Sequence, residues 1–121
     1  MRVVLPLAVT AFLMTGSAAS ESETFLSFES GNNLLEMCGS SDRSLNGVCV
    51  GYIEAIVDAM HIVQDSGGTV NGWRACIPQG VTVRRLRDLV IRFLRAHPEL
   101  RPRAAIDLVT NALAEAFPCR D

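Results

Sequence analysis

The residues of this chain that could do chemistry are four cysteines, two histidines and one pair of carboxylates four residues apart. A zinc site needs Cys or His ligands at short spacings such as C-x2-C or H-x3-H, and neither spacing occurs. Glu54 and Asp58 have an i, i+4 spacing that suits carboxylate-dependent hydrolysis but is common on helix surfaces. The absence of lysine excludes Schiff-base chemistry and a lysine-based phosphate loop. We therefore expect no enzyme, no metal and no cofactor, and a weak hydrolase using Glu54 is only the third hypothesis.

The N-terminus indicates the compartment in which the cysteines work. Val3–Leu13 is an almost wholly apolar run, too short to span a bilayer but typical of a secretory signal. The small residues Ser17, Ala18 and Ala19 follow it. We therefore predict a signal peptide over residues 1–19, export to the periplasm, and a mature chain without a membrane span. In that oxidising space the four cysteines are expected to form two disulfides.

Apolar residues recur with the helical period along four segments, and no segment carries a strand pattern of comparable strength. The predicted helices run from an Asn32 N-cap to about Met37, from Leu45 to Gln64, from a Thr82 N-cap to about Ala96, and from Pro102 to Phe117. The inward residues expected in the last helix are Ile106, Val109, Ala112, Leu113, Ala116 and Phe117. The predicted fold is all-α, a small disulfide-linked bundle of about four helices over residues 31–119, after a flexible leader over residues 20–30.

The order of these helices favours one of the three ways to pair four cysteines. Cys38 ends the first helix and Cys49 opens the second, so a helical hairpin brings them together. Cys76 precedes the third helix and Cys119 follows the fourth, which an antiparallel pair likewise makes neighbours. We predict the disulfides Cys38–Cys49 and Cys76–Cys119.

Charge is distributed unevenly, although the formal net charge is only −2. The N-terminal half, residues 20–73, is acidic, with eight carboxylates and one arginine, whereas residues 74–121 carry nine arginines and five carboxylates. A sequence pI of about 5.6 argues against nucleic-acid binding, which needs a basic excess. The second helix carries Glu54, Asp58 and His61 on one face, either as a solvated face or as a surface for a partner. The third helix carries arginines around Asp88, either as a solvated face or as a carboxylate- or phosphate-binding cluster; they are Arg84, Arg85, Arg87, Arg92 and Arg95.

The connection between the second and third helices is long, with 18 residues from Asp65 to Thr82. Connections longer than about 12–15 residues are uncommon in compact domains and are often functional. Cys76 should fix its middle, so the freely presented part is Asp65–Arg74. We predict that this part contacts a partner protein, with Trp73 as the apolar anchor and Arg74 as a polar contact.

Five sequence blocks resemble the Rap/Tai immunity family, periplasmic proteins that neutralise peptidoglycan amidases delivered by type VI secretion. The blocks are Leu34-Leu35-Glu36-Met37-Cys38, Cys49-Val50-Gly51-Tyr52-Ile53, Cys76-Ile77-Pro78-Gln79-Gly80-Val81-Thr82, Leu94-Arg95-Ala96-His97-Pro98-Glu99 and Ala112-Leu113-Ala114-Glu115-Ala116-Phe117-Pro118-Cys119. The resemblance implies a small helical protein, often a homodimer, that occupies the substrate cleft of a cysteine amidase through variable surface loops. Arg85 departs from the family pattern, in which a capping glutamine is expected.

The leading hypothesis is therefore a periplasmic immunity protein that binds and inhibits an amidase toxin. Its candidate partner-binding residues lie in the long connection and on the acidic helix face: Asp65, Ser66, Asn71, Trp73, Arg74, Glu54 and Asp58. The alternative is a helical periplasmic stress protein that resembles the acid-stress chaperones and has no cognate toxin. Such a protein would expose apolar surface when the carboxylates of the acidic N-terminal half become protonated.

Overall fold

The computed structural model describes residues 27–120, so the predicted signal peptide and residues 20–26 of the predicted leader lie outside the described part of the chain. These residues form four helices, α1 (Gly31–Gly39), α2 (Arg43–Gln64), α3 (Val83–Ala96) and α4 (Ala105–Ala116). No strand forms between residues 27 and 120, where only two isolated β-bridges occur. The prediction of an all-α fold with four helices is confirmed.

The start of α1 differs from the prediction. Ser30, and not Asn32, is the N-cap, and its Oγ accepts a hydrogen bond from a backbone N–H of the first turn. The backbone N–H groups of Gly31 and Asn32 donate to the carbonyl oxygens of Arg103 and Arg101, both at 3.0 Å. These partners, distant in sequence, satisfy amides that a helix start leaves free, so Asn32 is not needed as a cap.

The start of α4 also differs, because Pro102 lies in the turn before the helix and not in its first turn. The carbonyls of Arg101 and Arg103 accept the α1 amides, and the Ala105 N–H donates to the Glu29 carbonyl at 2.8 Å. The segment before α4 is therefore held beside the start of α1, and helical geometry begins only at Ala105. By contrast, the predicted Thr82 N-cap of α3 is confirmed.

The two disulfides join the helix pairs that pack most extensively, α1 with α2 and α3 with α4. Cys38 in α1 is bonded to Cys49 in α2, and Cys76 before α3 is bonded to Cys119 after α4. The Cys76 N–H also donates to the Phe117 carbonyl at 2.8 Å. The predicted connectivity is confirmed.

The core lies between all four helices and follows the predicted apolar stripes. Its largest fully buried side chains are Leu34, Ile53, Met60, Leu94, Leu108 and Leu113. In α4 the prediction that Ala116 points inward is wrong, because Ala116 is exposed while Leu108 and Thr110 are buried. The Thr110 hydroxyl donates to the Ile106 carbonyl at 2.8 Å, so this buried polar group is satisfied within its own helix.

Among the helices between residues 27 and 120, α2 is the one long and apolar enough to cross a membrane by length and composition. It packs against each of the other three helices and is bonded to α1 through Cys49. Its apolar stripe is buried at Ile53, Ile56 and Met60. In this fold the apolar stripe of α2 therefore forms part of the core.

Candidate functional site

A tight hairpin turn forms the middle of the connection between α2 and α3. The backbones of Val70 and Trp73 exchange two hydrogen bonds, of 3.0 and 2.9 Å. Between them Asn71 has φ +51° and Gly72 has φ +80°. Two successive positive φ angles are typical of the type I′ turn that closes a two-residue hairpin, for which Asn-Gly is a favoured pair. The connection therefore carries a defined turn whose two central residues are exposed.

Two side chains hold this turn against α4. Asn71 Nδ2 donates to Asp107 Oδ1 at 3.0 Å. The second carboxylate oxygen of Asp107 pairs with Arg103, which lies one helical turn earlier in the chain. Asp107 is only 18% exposed and occupies the first turn of α4, where the helix dipole favours a negative charge. The orientation of the hairpin is therefore fixed by the start of α4.

The base of the connection is fastened to the core. Ala75 and Ile77 are buried, and the disulfide of Cys76 ties the chain to the end of α4. Trp73 and Arg74 are half-buried, and the Trp73 ring packs against the core. The structure therefore gives Trp73 contacts within its own chain, and the exposed residues of the loop lie on either side of the segment from Trp73 to Ile77.

Asp65 and Ser66 lie where α2 ends, and both are exposed. The Ser66 hydroxyl donates to the Val63 carbonyl at 2.9 Å and so closes the last turn of the helix. Beside them is a shallow depression of about 440 Å³, lined by His61, Ile62, Gln64, Asp65, Ile77 and Gln79. Ile62 is 76% exposed, which makes it a prominent apolar contact at the edge of this depression.

Glu54 and Asp58 lie farther back on α2, and both are exposed. At about 1.5 Å of rise per residue they are about 16 and 10 Å from Asp65 along the helix axis. The structure therefore places His61 and Asp65 at one depression, while Glu54 and Asp58 continue the same exposed face toward the middle of α2. No group of three or more His, Cys, Asp or Glu side chains between residues 27 and 120 is arranged to hold a metal ion.

Sequence reasoning missed Asp107 and Arg103, the residues that support the hairpin from α4. No local pattern could find them, because Asp107 is 36 residues from Asn71. The Asn71-Gly72 dipeptide is itself typical of a hairpin turn, but the exposed loop is predicted from the length of the connection and not from this dipeptide.

The fold and the surface together define a class of protein: a small helical domain, fastened by two disulfides, with a long connection that forms an exposed hairpin turn. The chain matches the family model of the Rap1a immunity proteins over residues 30–119 and belongs to that family. Comparison with curated proteins and with solved structures gave no match. Membership of an immunity family implies that the protein binds a protein effector and acts as a non-enzymatic inhibitor.

Proposed function

We propose that this protein is a periplasmic immunity protein that binds and inhibits a peptidoglycan amidase delivered by type VI secretion. The match to the Rap1a immunity proteins over residues 30–119 carries the proposal. The sequence blocks that resemble the Rap/Tai family favour a cysteine amidase as the effector. Two disulfides favour an oxidising compartment, which export after removal of residues 1–19 would provide.

The proposed contact with the amidase is the exposed part of the loop between α2 and α3. The hairpin tip at Asn71 enters the substrate cleft, and Asp65 and Ser66 contact its rim. Glu54 and Asp58 extend the contact along α2, as the rest of an exposed face that begins beside Asp65.

Inhibition in this proposal is steric and needs no chemistry from the immunity protein. The hairpin occupies the cleft and thereby excludes the peptidoglycan stem peptide from the amidase nucleophile. Because Asp107 holds Asn71 in place before binding, little loop entropy is lost in the complex, and preorganisation of this kind favours tight binding. Trp73 and Arg74, half-buried at the base of the loop, contact the partner only with their exposed portions.

The test uses the mature chain and an amidase effector encoded beside its gene. We expect stoichiometric inhibition of peptidoglycan cleavage, and binding that persists with a catalytically inactive variant of the effector. Thr69 is exposed and next to the hairpin, so Thr69→Trp should weaken inhibition by about 30-fold or more through steric exclusion. The matched control is Ser44→Trp, at the exposed opposite end of α2, which should leave inhibition unchanged.

The outcomes separate the parts of the proposal. An amidase that neither binds nor is inhibited by the wild-type chain contradicts the proposed function. Equal inhibition by Thr69→Trp and the wild type contradicts only the assignment of the loop. Light scattering on the free chain tests whether it forms the homodimer that the resemblance to the Rap/Tai family implies. Protection of client proteins at pH 3 without amidase binding would instead favour the acid-stress alternative.

A further inference from the structure

The solvent face of α3 is an arginine surface that the proposed loop contact does not use. Arg84, Arg85, Arg92 and Arg95 are all exposed, and their spacing places them on one side of the helix. From Arg84 to Arg95 the helix rises about 16 Å. Asp88 is the single carboxylate among them. The feature is therefore a short, strongly basic strip.

These arginines have no acidic partner in the described part of the chain. Asp88 pairs with Arg87 at 3.5 Å, and Arg87 also donates to Asn46 Oδ1 at 3.2 Å. Glu115 lines a neighbouring depression together with Arg92 but forms no ion pair with it. Between residues 27 and 120 no carboxylate forms an ion pair with the four arginines of the strip. Their charges are therefore available to a molecule outside the chain.

Shallow depressions lie between the arginine side chains of the strip. A groove of about 540 Å³ is lined by Thr82, Arg84, Arg85, Asp88, Ile91, Arg92 and Arg95. A second depression of about 520 Å³ shares Thr82 and Arg85 with it and extends over Phe117 toward Pro78. The Arg85 guanidinium lies 5.8 Å from the centre of the Phe117 ring, a cation–π contact that positions it where the two depressions meet. We call this continuous feature the α3 groove.

We propose that the α3 groove docks an acidic segment of the partner protein, as a second contact separate from the hairpin. Guanidinium groups bind carboxylates through charge-assisted, often bidentate hydrogen bonds. Ile91 lines the groove and is half-buried, and its exposed part offers an apolar surface for a side chain of the bound peptide. The assignment of that partner as the effector rests on the proposed function.

The distribution of charge favours a local acidic segment over a long polyanion. The strip extends over only about 16 Å. Asp88 lies within it, and the chain as a whole has a net charge of −2. A nucleic acid would extend past the groove and meet this negative charge, whereas a short loop with two or three carboxylates would engage the arginines alone.

The first experiment needs no knowledge of the effector. A short labelled peptide of alternating glutamate and leucine is titrated with the mature chain, and the same peptide with glutamine in place of glutamate serves as reference. We expect the glutamate peptide to bind at least about tenfold more tightly, with an affinity that falls as salt is added. Equal binding of the two peptides overturns the proposal.

Variants locate the binding. Arg92→Glu with Arg95→Glu should abolish the preference for the acidic peptide, and Arg92→Gln with Arg95→Gln should reduce it by about threefold. The control is Arg43→Glu with Arg120→Glu, which makes the same charge change at exposed residues outside the groove and should preserve most of the preference. An equal loss in the control overturns the assignment to α3. So does equally tight binding of a single-stranded oligonucleotide or an anionic vesicle.

Binding of the amidase effector distinguishes a failure of the groove proposal from a failure of the proposed function. If the effector binds the wild type and the Arg92→Glu, Arg95→Glu variant equally, the groove proposal fails while the proposed function holds. If the effector does not bind the wild type but the peptide results are as expected, the proposed function fails and the groove remains an acidic-peptide site.

Discussion

Asn71 and Asp107 are joined by a hydrogen bond of 3.0 Å between the amide nitrogen of Asn71 and a carboxylate oxygen of Asp107, across 36 residues of sequence. Asn71 is at the tip of the exposed hairpin, and Asp107 is in the first turn of α4. Because Asp107 is also paired with Arg103, its carboxylate is held in place for this contact. The proposed binding loop is thus positioned by the helix that forms much of the core.

Replacement of Asp107 should loosen the hairpin. We expect Asp107→Ala to lower the free energy of unfolding by about 1–2 kcal/mol, because the hydrogen bond, the ion pair and a favourable helix-dipole interaction are all lost. Urea unfolding followed by far-UV circular dichroism measures this change. Inhibition of the effector should weaken as well, because the loop then loses more entropy on binding.

Asp88→Ala is the matched control, since it removes an exposed carboxylate that is paired with Arg87 at the surface of α3. Its effect on stability should stay below about 0.5 kcal/mol. If Asp107→Ala is no more destabilising than Asp88→Ala, the hairpin does not depend on α4.

The positions of the helices could be predicted from the sequence, but their ends only in part. The apolar residues that a helix buries recur with the helical period, so α2 and α3 can be recognised from the spacing of apolar residues. The ends of α1 and α4 depend on each other, because Gly31 donates to the Arg103 carbonyl and Ala105 to the Glu29 carbonyl. Contacts of this kind join residues distant in sequence. The predictions of Asn32 as the N-cap of α1 and of Pro102 as the start of α4 are therefore wrong.

The candidate site, like the helix ends, could be predicted only in part. The length of the connection and the presence of Cys76 indicated an exposed loop that is fixed at one end. The conformation of that loop depends on Asp107, and the burial of Trp73 depends on the core surface beside it. Neither partner can be read from local sequence. The Asn71-Gly72 dipeptide indicates the turn, but not the contact with Asp107 that orients it.

Gly31 allows the close approach of α1 to the segment before α4. A Cβ atom at this position would clash with Leu108 Cδ1 and lie 2.8 Å from the Arg101 carbonyl oxygen. Because backbone cannot yield easily, we expect Gly31→Ala to destabilise the fold by about 1–3 kcal/mol. Thermal unfolding measures the change.

Gly47→Ala should change stability in the opposite direction to Gly31→Ala. A Cβ at Gly47 would have no neighbour within 4 Å, and the residue is in the exposed face of α2. Alanine has the higher helix propensity, so this variant should be more stable than the wild type by up to about 1 kcal/mol. A loss of stability in Gly47→Ala, or none in Gly31→Ala, would contradict the packing described for α1 and α2.

The two disulfides should contribute unequally to stability. Cys38 and Cys49 are separated by 11 residues, and Cys76 and Cys119 by 43. In the loop-entropy model these closures contribute about 3 and 4 kcal/mol, so replacement of the second pair by serine should cost more. Urea unfolding of the two double-serine variants tests the order, and a larger loss for Cys38→Ser with Cys49→Ser would contradict it.

Tyr52 should control how stability changes at alkaline pH. Burial raises its pKa above the ordinary value of 10.0, and the negative charge of Glu29 adds to the increase. The unfolded chain therefore loses this proton at a lower pH than the folded chain. The contribution of Tyr52 to stability is full below pH 10 and falls as the pH rises through the folded-state pKa.

The composition makes this effect measurable. The chain has a single tyrosine and no lysine, its four cysteines are paired, and arginine stays charged in this range. Tyrosinate absorbance therefore reports Tyr52 alone and should give a higher midpoint in the folded protein than in urea. In Tyr52→Phe, the decline in unfolding free energy above pH 10 should be much reduced. An equally steep decline in this variant would show that Tyr52 is not the group responsible.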